Sequence, residues 1–256
     1  MLTDHPERSC WFFAADYQPE VGFLKSLPDA AEVLQKKLDT LAWGTTTPNN
    51  GYFFRVPARK LIFSIDLQRL FAQGIGLHSW QSSLNDFASM FRSALEKAGV
   101  KALKRVGFKV WSFSRTEMSH SEMADLMFGS FLVPRQELGG LYGNTDDALV
   151  LIHGSHGDMK LQLTVAPMNA EQVAQQVSQI SNLEHFSEPK FFDAGLKEFR
   201  DRVVGDCLFV DLDLFRQDVD CSDVLSFTRN SLTAADEVVT ATVRRLKHLQ
   251  VKRKGR

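Results

Sequence analysis

The chain has 256 residues, a net charge of −1, and 44% hydrophobic against 24% charged residues. A chain of this length buries a sizeable core as one large domain or two small ones, and its near-zero charge supplies no global field to attract nucleic acid or a membrane. Cys10, Cys207 and Cys221 are odd in number and sit at no metal-ligand spacing, which predicts free, buried thiols in a reducing, cytoplasmic compartment. Residues 1–8 lack the apolar core of a signal peptide. No apolar run approaches the ~20 residues that span a bilayer, so no membrane partner is expected.

In chain order, Cys10 to Ala15 form an apolar, aromatic run that predicts a first strand, ended by Gln18-Pro19-Glu20. Ser26 and Pro28 mark a helix start, with Ala30, Leu34, Leu38 and Leu41 at helical spacing. Gly44-Thr-Thr-Thr-Pro48-Asn-Asn-Gly51 reads as a polar loop, 51–56 as a strand and Pro57-Ala58-Arg59 as its turn. Leu61, Phe63, Ile65 and Leu67 alternate with Lys60, Ser64 and Asp66, the period of a half-buried strand. Gln73-Gly-Ile-Gly76 reads as a loop and Ser79 as an N-cap. Trp80, Leu84, Phe87, Phe91 and Leu95 then share one helical stripe, stopped at Gly99. Residues 105–113, Arg-Val-Gly-Phe-Lys-Val-Trp-Ser-Phe, follow as a central strand joining two halves. The helix is expected to pack on this strand.

Beyond it, Ser119-x-x-Glu122 fits a capping box ahead of Met123, Leu126 and Met127, with Gly129 as the stop. The stretch 131–147 is loop-like, with Pro134, Gly139-Gly140 and Gly143-Asn144. Strands over 148–152 and 159–165 predict a hairpin across His153-Gly-Ser-His-Gly157-Asp158. Asn169 with Gln172 starts a helix carrying Val173, Val177 and Ile180, and Pro189 opens another through Phe192, Leu196, Phe199 and Val203. Leu208, Val210, Leu212 and Leu214 alternate with Asp211 and Asp213 in a strand, and Ser222 begins a long closing helix or helix pair. The expected fold is α+β: two ferredoxin-like halves, βαββαβ over 1–116 and a variant αββααβα over 117–256, around an antiparallel sheet.

Trp80, Arg105-Val-Gly-Phe-Lys109 and the acidic strand Val210-Asp-Leu-Asp-Leu214 before a long helix carry a family likeness. Over roughly 51–246 the chain resembles a sporadically distributed family of uncharacterised bacterial proteins with an Arg-x-Gly-x-Arg-like central strand. Lys109, Trp111 and Ser112 stand where that family usually shows Arg, an aromatic and Asn. The resemblance implies a bacterial protein and an α+β fold, and no activity.

Four groups of residues invite a chemical reading. His153, His156 and Asp158 have the types to bind a metal, but the competing reading, a glycine-containing turn with a polar tip, is preferred because no third or fourth ligand motif accompanies them. His78 and His120, with Lys109 or Arg105 near, have the types for general acid–base cleavage of RNA, but the competing reading, cap or loop residues, is preferred. Duplicated ferredoxin-like units are similar to those of CRISPR RNA-processing endoribonucleases, which carry a glycine-rich loop near the C-terminus. Here Gly205 and Gly255 are the only glycines from Val204 onward. Asp211 and Asp213 face the same way on one strand and suit a divalent ion, joined by Asp66 if the strands are neighbours, or the solvent face of a sheet. Arg244, Arg245, Lys247, Lys252, Arg253, Lys254 and Arg256 crowd the C-terminus, as phosphate contacts or as a solvated helix end. Arg105 joins them as a nucleic-acid candidate. No phosphate loop, dinucleotide fingerprint, nucleophile elbow or Cys-x-x-Cys is present. No catalytic set, resident metal or cofactor is therefore expected. The leading expectation is a non-enzymatic protein-interaction or assembly component whose partner is another protein or itself. The alternative is an RNA-binding or RNA-cleaving protein.

Overall fold

The structure is a computed structural model, and it describes residues 9–18, 20, 22–38, 42–46, 51–56, 61–76, 84–131, 148–181 and 193–254. His78, Ser79, Trp80, Pro134, Pro189 and Arg256 lie outside the described residues, as do the expected turn at Pro57 and most of the expected loop over 131–147.

The fold is mixed α+β around an antiparallel sheet. Its elements are β1 (Ser9–Tyr17), α1 (Phe23–Leu38), β2 (Ala42–Thr46), β3 (Gly51–Val56), β4 (Leu61–Ile65), β5 (Arg69–Ile75), α2 (Leu84–Lys97), β6 (Ala102–Arg115), α3 (His120–Phe131), β7 (Val150–His156), β8 (Met159–Met168), α4 (Ala170–Ser181), α5 (Asp193–Val203), β9 (Cys207–Asp220) and α6 (Val224–Lys254). The strands form one sheet in the order β2-β3-β4-β5-β1-β6-β9-β8-β7. β6 pairs with β1 between Leu103 and Ser112 on one side and with β9 from Ala102 to Arg115 on the other. It is the strand across which the two parts of the chain join.

Alternation decides which residues face which layer. Trp11, Phe13, Ala15 and Tyr17 of β1 point to the same side as Val106, Phe108 and Val110 of β6 and Leu208, Val210, Leu212 and Leu214 of β9, in one core with residues of α1, α2, α3 and α6. Cys10, Phe113, Cys207 and Phe209 point to the opposite side, where Val173 and Val177 of α4 and Phe199 and Val203 of α5 cover them. The two helices thus cover only part of this second face.

Two capping boxes are built as the sequence predicts. Ser119 N–H donates to Glu122 Oε2 at 2.8 Å and Glu122 N–H to Ser119 Oγ at 3.3 Å. Asn169 N–H donates to Gln172 Oε1 and Gln172 N–H to Asn169 Oδ1, both at 2.9 Å. Each box satisfies donors that the first helical turn leaves without an intrahelical partner. Gly99 takes φ +84° after α2, the left-handed stop its position predicts.

Several expectations are corrected. Ala42–Thr46 is an edge strand paired to β3 rather than a polar loop. Arg69–Ile75 is a full strand between β4 and β1, although it reads as a loop around Gly74. The physical reason is packing. Gly74 lies directly across from Trp11, and a β-carbon there would sit 2.3 Å from the indole ring. Gly74 is a seat for an aromatic ring, not a chain breaker. Gly129 lies inside α3. The closing segment is one 31-residue helix, not a pair, and its entry is a short 3₁₀ turn capped by Asp220, whose Oδ1 accepts from Ser222 N–H at 2.8 Å. Phe87 and Phe91 pack on Phe63 of β4, and Phe91 also stacks on Phe13 of β1, in the same core as Val106, Phe108 and Val110 of β6; α6 also contacts β6.

All three thiols are free and buried. Burial pushes the Cys10 thiol far up and the Cys221 thiol up to about 11. Because the thiolate is the reactive form, the native protein should resist thiol-specific disulfide reagents at neutral pH and release all three thiols on unfolding. Rapid labelling of the native state would contradict the packing around Cys10, Cys207 and Cys221.

Candidate functional site

The open part of the second sheet face carries most of the candidates. Register places Gln73, Phe12, Lys109, Asp213, Gln162 and His153 in one row across β5, β1, β6, β9, β8 and β7. A neighbouring row holds Arg69, Asp16, Arg105 and Gln217. Between these two rows sits Gly107. A β-carbon there would lie 2.8 Å from Arg105 Nη1, so the glycine leaves room for the guanidinium to lie flat across the sheet. Arg105 Nη2 donates to Asp213 Oδ1 at 3.0 Å and Oδ2 at 2.8 Å, and the guanidinium stacks 4.9 Å from the Phe215 ring centre. Lys109 Nζ pairs with Asp211 Oδ2 at 2.8 Å and lies 5.5 Å from the Trp111 ring centre. The Arg-x-Gly-x-Lys spacing therefore sets two cations on one face with an empty position between them, each matched with a carboxylate of β9.

The ladder continues outward. Arg69 Nε pairs with Asp16 Oδ1 at 2.5 Å, and Lys160 Nζ donates to Gln217 Oε1 at 3.0 Å. Every cation named in this ladder is matched by an acceptor. Burial raises the Asp213 carboxyl above the ordinary aspartate range, against the opposing pull of Arg105 and Lys109. A folded-state value above the unfolded one means that protonated Asp213 favours the fold. That contribution is complete below the unfolded value and is lost as pH rises through the folded one. A carbon-13 titration of the Asp213 carboxyl should give a midpoint above that of a peptide aspartate, and Arg105→Met should raise it further. A midpoint at or below the peptide value would refute the dominance of burial.

The other candidates disperse. His153 and His156 lie on β7, not in a turn, and being three residues apart they project to opposite faces of the sheet. The turn is Gly157-Asp158, with Gly157 at φ +60°, the glycine-first pattern of a two-residue hairpin. Asp158 forms an ion pair with Arg216. Among the described residues no group of three His, Cys, Asp or Glu side chains converges for a metal. Asp66 does not join Asp211 and Asp213: it follows β4, four positions from β9 in the sheet, and its Oδ1 accepts from Gln68 and Arg69 N–H at 2.7 and 2.9 Å to close the β4–β5 turn. His120 occupies the first turn of α3. Lys252, Arg253 and Lys254 belong to the last turn of α6.

A second surface escaped the sequence reading. β7 closes one edge of the sheet, and among the described residues the large exposed hydrophobics are Leu24, Leu149, Leu151, Ile152 and Val204. Three of these five cluster on β7 and the residue just before it, at 63%, 48% and 40% exposure. The signal was present as Leu149-Val-Leu-Ile152, but an apolar run reads as buried until its place in the sheet is known. Among the described residues no helix is long and apolar enough to cross a membrane. No protein-family model matches the chain, and no curated protein matches it.

Proposed function

We propose that the protein is a non-enzymatic, cytoplasmic interaction or assembly component that engages a protein partner through the β7 edge. The observation that carries this reading is the exposed apolar cluster of Leu149, Leu151 and Ile152 on a sheet edge that no strand among the described residues pairs. Such a patch, bounded by polar residues, is the usual mark of a contact surface. The free, buried thiols support the compartment. RNA binding has less support, because Arg105 and Lys109 are already matched by Asp213 and Asp211.

The ferredoxin-like reading also belongs to this proposal. For the first half it is supported by the sheet order β4-β5-β1-β6, with α1 following β1 and α2 preceding β6. The second half is a variant in which β9, rather than β6, lies beside β8.

The test is affinity purification from the native host with the wild type and Ile152→Lys, measuring both co-purifying protein and nucleic acid. The expected result is a protein in stoichiometric amount with the wild type, lost with the variant, and no nucleic acid. Nucleic acid retained equally by both, without protein, would overturn the proposal in favour of RNA.

A further inference from the structure

Resting on that reading of the β7 edge, we infer that its partner is a second copy of the chain, docked by antiparallel pairing of β7 with β7 about a two-fold axis at Leu151. Natural sheet edges are protected by lysine, proline, bulges or short length. β7 runs seven residues without a lysine, an arginine, an acid or a proline, and its pairing with β8 has no register break. It is an edge built to be paired.

The strand is self-complementary in one register. With the axis at Leu151, Leu151 meets its own copy, Val150 meets Ile152, and Leu149 meets His153. Alternation keeps Val150 and Ile152 on the face of the main core. Each row then continues inward: Ile152 is paired with Leu163 and Val150 with Val165. Leu163, Ile152, Val150 and Val165 would form one apolar row across both copies, and the two-fold axis repeats it. Val150, Leu163 and Val165 already belong to the core, so the pairing extends that core through the interface. An axis at His153 would instead set His153 against itself and Val150 against His156. An axis at Ile152 would set Leu151 against His153 and Val150 against Gly154. Both lose apolar pairs.

Charge favours the same occupant. The nearest charges on the hairpin are already engaged, Asp158 with Arg216 and Lys160 with Gln217. A chain of net charge −1 meets its copy without strong repulsion. A seven-residue edge buries less than the roughly 1,600 Å² of a standard interface, so the dimer is reversible, with a dissociation constant on the order of micromolar.

Sedimentation velocity from about 1 to 200 µM, a range bracketing that constant, should show the wild type moving from monomer to dimer, and Leu151→Lys remaining monomeric with an unchanged melting profile. Should Leu151→Lys fail to fold, Leu151→Thr takes its place. Under mild oxidation Leu151→Cys should give a disulfide-linked dimer, since directly opposed α-carbons lie about 4.5–5.5 Å apart, a separation that a disulfide spans. Ile152→Cys should not, because its own copy is diagonal to it. The native cysteines are buried, so the wild type should not cross-link. A monomer at every concentration overturns the inference, as does equal cross-linking of both cysteine variants. A monomer that still captures another protein in an Ile152-dependent way overturns the second-copy inference alone; one that captures nothing overturns the interaction reading as well.

Discussion

Replacing Phe91 with alanine is expected to destabilise the protein by about 3–5 kcal/mol. Phe91 is buried in α2, its ring parallel to Phe13 at 4.5 Å between centres and 5.4 Å from Phe63. It joins the helix layer to two strands that are not neighbours in sequence. Truncation removes the transfer energy of the ring and leaves a cavity that β1 and β4 cannot collapse into, because each is held between partner strands. For a chain of this size each kcal/mol moves the melting midpoint by roughly 2–4 °C. Leu24→Ala, on the exposed face of α1, is the control. Equal shifts for the two variants would refute the placement of α2 on the sheet.

Gly74→Ala is expected to be destabilising by about 1–3 kcal/mol through overpacking. The new β-carbon would fall 2.3 Å from Trp11 Cζ2, and that ring is itself buried against Phe108 at 6.1 Å. The indole or the backbone must shift to admit it. The diagnostic is a cycle with Trp11→Leu. A smaller side chain at position 11 should leave room for the added methyl group, so the double variant should lose less stability than the sum of the singles. Strict additivity would mean that Gly74 is required for its backbone alone, not for the tryptophan.

Local chemistry was legible wherever a few adjacent residues determine it. The capping boxes at Ser119 and Asn169, the Gly99 stop, the aromatic stripe of α2 and the alternation of β9 each follow from interactions within a turn or a strand. A hydrogen bond between positions three apart needs no distant partner, so its signature survives in one dimension. The same holds for the sheet-rich α+β class and for the odd, buried cysteines.

Tertiary structure alone decided what depends on register. Gly74 reads as a loop residue because its reason for being glycine, Trp11, is sixty-three positions away. Asp211 and Asp213 read as a possible ion site because nothing in their neighbourhood announces Lys109 and Arg105 on the next strand. Gly107 reads as a motif letter until Arg105 is seen to lie across it. Leu149, Leu151 and Ile152 read only as part of a hairpin strand, because hydrophobicity is a property of the residue, whereas exposure is a property of where the sheet ends. Sequence determined most of the helices, the strands with clear alternation and which way their side chains alternate; the pairing of strands determined that 42–46 and 69–75 join the sheet, which charges cancel and which apolar edge remains open, because those outcomes are set by cross-strand neighbours that no local pattern encodes.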